Sequence, residues 1–401
     1  MKVEITARNA SLGDLADLLQ KQQTHKVDMV VPASKMRMEN GVLRVEGAGA
    51  QLLDDGVIQV DGLYRPTAVF DEGVSQKLGI PLPYVRRMRN ERPDLYDANV
   101  NGWLYGSPIV LDPENQEEPF TREYPGDPRK FLIRAFKGDG SLDSPMPPAE
   151  GIARAMLSDS YKMMDNLDAL TAALDGVKAA GVNVEFAGCD LTERRMTVKI
   201  TAPEMRALLP EVMRDYRSPF TGQTAHDLPV VFAGFVLSNS ETGGGAFTLT
   251  PRMEIQVCKN GLVIGKDALR AVHLGGKMDE GVIDWSADTM RKTADLITAK
   301  TRDAVATFLN VEYMKRALDG LAAKAGEEIE DPVKTVQQVG KKLAFSQEQI
   351  TGVLDHFVRG GQMTAGGVMN AVTSFAQTVD DPDVAYDLEA QGVRAMELAA
   401  S

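Results

Sequence analysis

Ala246-Phe-Thr-Leu-Thr-Pro-Arg-Met-Glu-Ile-Gln-Val-Cys258 alternates apolar and polar residues along its length, and a period of two is that of a strand with one covered face. Phe247, Leu249, Met253, Ile255 and Val257 share one face; Thr248, Thr250, Arg252, Glu254, Gln256 and Cys258 share the other. One face is therefore expected to be core and the other polar. Working outward, Arg195-Met-Thr-Val-Lys-Ile200 alternates cleanly and Leu228 to Leu237 is nearly continuously apolar. Together these runs predict an antiparallel sheet with one face covered. Upstream, Phe131-Leu-Ile-Arg-Ala-Phe136 begins the same unit, and Asp165 or Asn166 can cap a helix running to about Ala180.

Before this unit the elements are shorter. A strand is expected at Val3 to Thr6, then an amphipathic helix through Leu19 that starts at Ser11-Leu-Gly-Asp14, a capping-box-like sequence. A second strand follows at Lys26 to Val31. Asn40-Gly41 sits between two alternating runs in Met36 to Glu46 and predicts a hairpin turn. Residues 1–65 thus read as a small α+β unit. Within 66–127, Val74-Ser-Gln-Lys-Leu-Gly-Ile-Pro81 and Tyr84-Val-Arg-Arg-Met-Arg89 read as two short helices broken at Gly79 and Pro81, the pattern of a helix-turn-helix. Ser107 to Asp127 has four prolines, many acids and no periodicity, so it reads as a long surface loop.

Residues 128–285 form the sheet unit with its helices, and residues 286–401 form a helical region punctuated by Gly320, Pro332, Gly340 and Gly360-Gly361. The expected fold is α+β, with mixed N-terminal and central antiparallel sheet units followed by an all-helical C-terminal region. Met290, Ala294, Ile297, Thr301, Ala304 and Phe308 recur at heptad-like spacing. This seam is expected to pack on its own chain, and the other reading is a homo-oligomer contact.

At 401 residues the chain exceeds what a single core usually supports, and its 43% hydrophobic and 25% charged residues are those of a folded protein. Its formal charge of −13 disfavours a phosphate backbone unless basic residues gather on one face. Two cysteines and four scattered histidines suggest neither a disulfide framework nor a local zinc site. With no apolar run near the roughly 20 residues that cross a bilayer and no apolar leader segment, a cytoplasmic protein without membrane contact is expected, with no cofactor.

Three patterns bear on chemistry. Cys258-Lys-Asn-Gly261 followed by His273 has the components of a thiolate/imidazole pair, although a cysteine at a strand end is usually inert and Asn-Gly suits a tight turn. Asp159, Asp165 and Asp168 could hold a divalent cation, but acids before a helix are ordinarily caps, so no metal site and no catalytic residue is assigned. Arg86, Arg87 and Arg89, with Tyr84, Tyr96 and Trp103 interleaved, combine cations for phosphates with aromatics for stacking. Glu91, Asp94 and Asp97 partly cancel that charge, which leaves a solvated helix face as the alternative. Glu241-Thr-Gly-Gly-Gly245 lacks the Gly-Lys-Ser/Thr ending of a phosphate-cradling loop and reads as a flexible hairpin loop.

Over roughly residues 65 to 400, the chain resembles the phage/plasmid-like protein family defined by a domain of unknown function numbered nine-three-two. The resemblance is carried by Val74 to Pro81 with Tyr84, Phe131-Leu-Ile-Arg134, Ala155 to Tyr161 with Asp165-Asn166, Val257-Cys-Lys-Asn-Gly-Leu262, His273-Leu-Gly275 and Met369-Asn-Ala-Val-Thr373. It implies a mobile-element setting and no particular activity. The expected function is a non-catalytic accessory protein that handles nucleic acid, such as single-stranded DNA in replication or recombination. The expected contacts are Tyr84, Arg86, Arg87, Arg89, Arg134, Arg252, Gln256, Lys259, Asn260 and His273. The alternatives are an acidic protein that binds and inhibits a host defence protein, and a Cys/His or carboxylate-based enzyme.

Overall fold

The computed structural model describes residues 4–48, 50–53, 56–110, 121–138, 150–159, 161, 164–208, 212–213, 215–224, 230–256, 258–271 and 287–401. It is an α+β structure with two main sheets, and its C-terminal part, from Ala287, is helical.

The chain starts with β1 (Ala7–Ala10), α1 (Leu12–His25) and β2 (Lys26–Pro32). The Ser11 hydroxyl accepts from the Asp14 backbone N–H at 3.1 Å, so the expected cap is present, and the helix runs on to His25. The first strand lies later than expected, at Ala7–Ala10, because its register is set by a distant partner described below; Met1 to Val3 are outside the described residues. Then come β3 (Met36–Glu39) and β4 (Val42–Val45), joined by the Asn40-Gly41 turn in which both residues have positive φ. Asp97 closes this turn by accepting from the backbone N–H of Asn40 and Gly41.

The next strands are β5 (Ala50–Leu53), β6 (Gly56–Gln59) and β7 (Gly62–Pro66), followed by α2 (Ala68–Leu78), α3 (Leu82–Glu91) and α4 (Pro93–Tyr105). The break between α2 and α3 falls at Gly79, which is left-handed, and Pro81. The stretch from Ser107 is not all loop: β8 (Gly106–Val110) and β9 (Thr121–Pro125) pair as a hairpin. Pro108 and Pro125 are tolerated there because both strands of a two-stranded ribbon are edges; residues 111–120 lie outside the described residues.

β10 (Lys130–Phe136) and β11 (Gly151–Ser158) complete a six-stranded sheet in the order β2-β10-β11-β7-β4-β3. One pairing is parallel, β11 with β7, and it joins Gly151 to Tyr64. Val27, Met29, Val31, Phe131, Ile133 and Ala135 face α2 to α4, where Phe70, Val74, Val85, Tyr96 and Val100 complete one core.

α5 (Asn166–Ala180), β12 (Glu185–Leu191), β13 (Met196–Leu208), β14 (Val230–Asn239), β15 (Phe247–Ile255), β16 (Gly261–Val263) and β17 (Leu269–Ala271) follow. They form the second sheet, ordered β1-β12-β13-β14-β15-β16 with β17 also on β15. The alternation read from the sequence is observed: Val198, Ile200, Leu237, Phe247 and Leu249 face α1 and α5. The expected boundaries do not separate cores. β1 and α1 belong with the second sheet, while β2 to β4, β7, β10 and β11 form the first.

The helical part comprises α6 (Ala287–Phe308), α7 (Val311–Ala325), α8 (Pro332–Lys342), α9 (Gln347–Gly360), α10 (Ala365–Ala376) and α11 (Pro382–Ala399). α6 packs on α5 across Gly176, where a Cβ would stand 3.0 Å from Val305. Ile297, Ala304, Val305 and Phe308 join the core of the second sheet, and Thr301 is fully buried. The described part of the seam is thus filled by its own chain; the Met290 and Ala294 side chains lie outside the described residues. α10 is buried almost throughout, against Met253 and Ile255 on one side and α9 on the other. Among the described residues no helix is long and apolar enough to cross a membrane.

Candidate functional site

The polar face of the second sheet presents Thr197, Lys199 and Thr201 from β13 and Thr250, Arg252 and Glu254 from β15. Such a face needs water or opposite charge over it. α11 supplies the charge. Glu389 accepts from Arg252 Nε at 2.7 Å and from Lys199 Nζ. Glu254 accepts from Arg252 Nη1 at 3.0 Å and from the Thr201 hydroxyl at 3.1 Å, and pairs with Lys259 at 3.1 Å. Arg195 fixes the start of α11 through Asp383 and Asp387. Gly261 is needed beneath this helix because a Cβ there would meet Glu389 Oε1 at 1.7 Å. Burial alone would raise the Glu389 carboxyl, but Arg252 and Lys199 override it and hold it at about 2.

Beside this network a cleft of about 420 Å³ opens, with Arg8, Phe186, Lys259 and Tyr386 in its wall. Four basic side chains (Arg8, Lys199, Arg252 and Lys259) and four acidic ones (Glu185, Asp190, Glu254 and Glu389) line it. The lining is electrically balanced and rich in hydrogen-bonding groups.

A second charged cluster joins the two sheets. Arg134, fully buried, lies directly across from Asp28 in the β10/β2 register and donates to both of its carboxylate oxygens, at 2.8 and 3.1 Å. It also donates to Asp165 at 2.7 Å and to the Glu241 carbonyl at 3.0 Å. Asp165 further accepts from Lys26 at 2.5 Å. The Asp165 carboxyl is raised by burial but pulled down to about 2 by Arg134 and Lys26. Asp165 is the N-cap residue of α5 but makes no side-chain cap bond; the carboxylate that accepts from the first helical N–H, that of Asn166, is Glu241, which also accepts from Arg154, each at 2.7 Å. The Gly-rich loop read as flexible is in fact anchored at its first two residues, Glu241 and Thr242, both buried.

These placements sort the expected contact residues. Arg134 has no exposed surface and Arg252 has 4%, and each guanidinium is held by carboxylates, so neither can reach a phosphate. Asn260 is fully buried, donating to Tyr216 and to the Asn370 carbonyl from inside the β15/β16 turn. Gln256 and Lys259 are exposed, Lys259 at the cleft rim. On α3, Tyr84 is 48% exposed, and Arg86 and Arg87 are also open to solvent while paired with Glu72 and Glu91. Arg89 turns inward to Asp71 at 2.7 Å, and Tyr96 is buried with its hydroxyl on the same acid. Trp103, on α4, is 59% exposed.

Of the proposed thiol/imidazole pair, Cys258 is buried and its thiol is pushed up by that burial to about 12, far from the thiolate a nucleophile needs. His273 lies outside the described residues. Asp165, of the three acids considered for a cation, is occupied by Arg134 and Lys26, and among the described residues no group of three or more His, Cys, Asp or Glu side chains is arranged to hold a metal ion. The sequence reading missed Glu389. Its only signal was indirect: Lys199 and Arg252 on one sheet face call for a carboxylate from elsewhere. No protein-family model, no curated protein and no solved structure matches this chain.

Proposed function

We propose that the chain is a non-catalytic accessory protein of a phage or plasmid that handles single-stranded DNA in replication or recombination. The observation that carries this reading is the surface of α3 and α4. Tyr84 and Trp103 keep about half of their surface in solvent, and Arg87 stands one helical turn after Tyr84 on α3. An exposed aromatic with a cation one helical turn away, as Tyr84 has in Arg87, is what a single strand stacks on, and Trp103 offers a second exposed ring. The carboxylate partner of Arg87 does not block this use, because an exposed ion pair such as Arg87–Glu91 is worth only about 0–1 kcal/mol and its arginine can exchange partners. The sequence resemblance to phage and plasmid proteins gives the setting. Equilibrium binding to labelled single-stranded and duplex DNA across a salt series tests it. Salt-sensitive binding that prefers single strands is expected, and Tyr84→Ala and Trp103→Ala should each cost about 1–3 kcal/mol. Absence of binding at low salt would sink the reading.

A second reading, binding of a host defence protein, is favoured by the net charge of −13 and by Leu95, exposed on the same helix as Trp103. Under it, pull-down from host lysate would yield a specific partner whose capture Leu95→Asp and Trp103→Ala abolish, with no DNA binding.

A further inference from the structure

The sequence Pro332-Val-Lys-Thr-Val-Gln-Gln-Val-Gly-Lys-Lys342 of α8 contains no acidic residue, in a chain with 57 Asp and Glu. At 100° per residue, Val336, Val339 and Gly340 fall on one side of the helix, and all are buried. Lys334, Gln337, Gln338, Lys341 and Lys342 fall within one arc on the other side, and all are exposed. None of the three lysines enters an ion pair among the described residues, whereas Lys324, on the preceding helix, pairs with Glu397. The nearest acid in sequence, Asp331, is occupied as the helix cap, accepting from the Lys334 backbone N–H at 3.0 Å. Every basic residue of the α3 cluster has a carboxylate partner. The α8 face has none.

The geometry points to this face of α8 as a docking surface for the phosphate backbone of single-stranded DNA, an assignment that rests on the nucleic-acid reading above. Charge complementarity selects the partner: three ammonium groups without carboxylates suit a polyanion and suit no acid-poor or basic surface. Lys334 and Lys341 are two helical turns apart, about 10.5 Å, so the three ammonium groups form one stripe along the helix that can meet successive phosphates. Gln337 and Gln338 lie between them, and each amide can donate to and accept from an unpaired base edge.

The test is the salt dependence of single-strand affinity for the full chain, compared with the triple variant Lys334→Gln, Lys341→Gln, Lys342→Gln. The substituted side chains are exposed and glutamine keeps helix propensity, so the fold is expected to survive and circular dichroism checks it. Three lost phosphate contacts should make the slope of log K against log salt shallower by about 2 for a single strand. A control variant, Lys315→Gln with Arg316→Gln on α7, should leave the slope unchanged. If the folded triple variant keeps the wild-type slope while the wild type binds DNA, the α8 assignment is overturned and the nucleic-acid reading stands. If the wild type binds no DNA at low salt, both fall.

Discussion

Replacing Glu389 by Gln removes one negative charge from beneath α11 while keeping the size of the side chain. In the wild type this carboxylate is 4% exposed and neutralises Lys199 and half of the Arg252 guanidinium. Its carboxyl titrates at about 2 instead of the ordinary 4.5, and that difference is worth about 3 kcal/mol of folding free energy at neutral pH. Removing one partner of a buried pair costs about 3–5 kcal/mol in general, so the two routes agree. Because the folded-state value lies below the unfolded one, the contribution is complete above pH 4.5 and is lost as pH falls towards 2. Roughly two fifths of it should be gone by pH 3.5. Urea unfolding of wild type and Glu389→Gln, followed by circular dichroism between pH 7 and 3.5, measures both quantities. The expected result is a gap of about 3 kcal/mol at pH 7 that narrows in acid. A gap below about 1 kcal/mol, or one that is the same at pH 7 and 3.5, would show that the Glu389 charge does not hold α11 to the sheet.

Two glycines give opposite expectations. In α2 a Cβ at Gly73 would lie 2.5 Å from the Met156 carbonyl oxygen of β11, so Gly73→Ala should destabilise by about 1–3 kcal/mol. In α4 nothing lies within 4 Å of the same position at Gly102, so Gly102→Ala should stabilise by about 0.5–1 kcal/mol; thermal melts that show the same sign for both would refute the packing. Burial pushes the thiols of Cys189 and Cys258 up to about 11 and about 12. Neither should react with a thiol reagent in the native protein near neutral pH, and labelling should rise only in denaturant.

Local features were the legible ones. The Ser11 cap, the Asn40-Gly41 turn, the β15 alternation and the helix from Asn166 to Ala180 each depend on a few adjacent residues, and each stands where the sequence puts it. What covers a face is a different matter. The polar side of β15 reads as an open surface because Glu389, which neutralises Arg252, lies 137 positions away in sequence. Arg134 reads as a nucleic-acid contact for the same reason: Asp28 and Asp165 come from separate elements and enclose it only in the folded chain. Pro108 and Pro125 argued for loop, but a ribbon with two edges has positions where a missing N–H costs nothing. Lys334, Lys341 and Lys342 could have been found, since an acid-free helix in so acidic a chain is visible in composition alone.

The pairing of β1 with β12 has a consequence for synthesis. Ala10 has its partner in Cys189, so this edge of the second sheet cannot close until about 180 further residues have left the ribosome. At about 5–20 residues per second that wait is roughly 9–36 s. The parallel β7–β11 pairing, Tyr64 with Gly151, imposes a shorter delay of the same kind on the first sheet. The nascent chain thus holds unpaired strand edges for many seconds, and a chaperone that shields them during elongation would raise the yield of folded protein more than one acting after release.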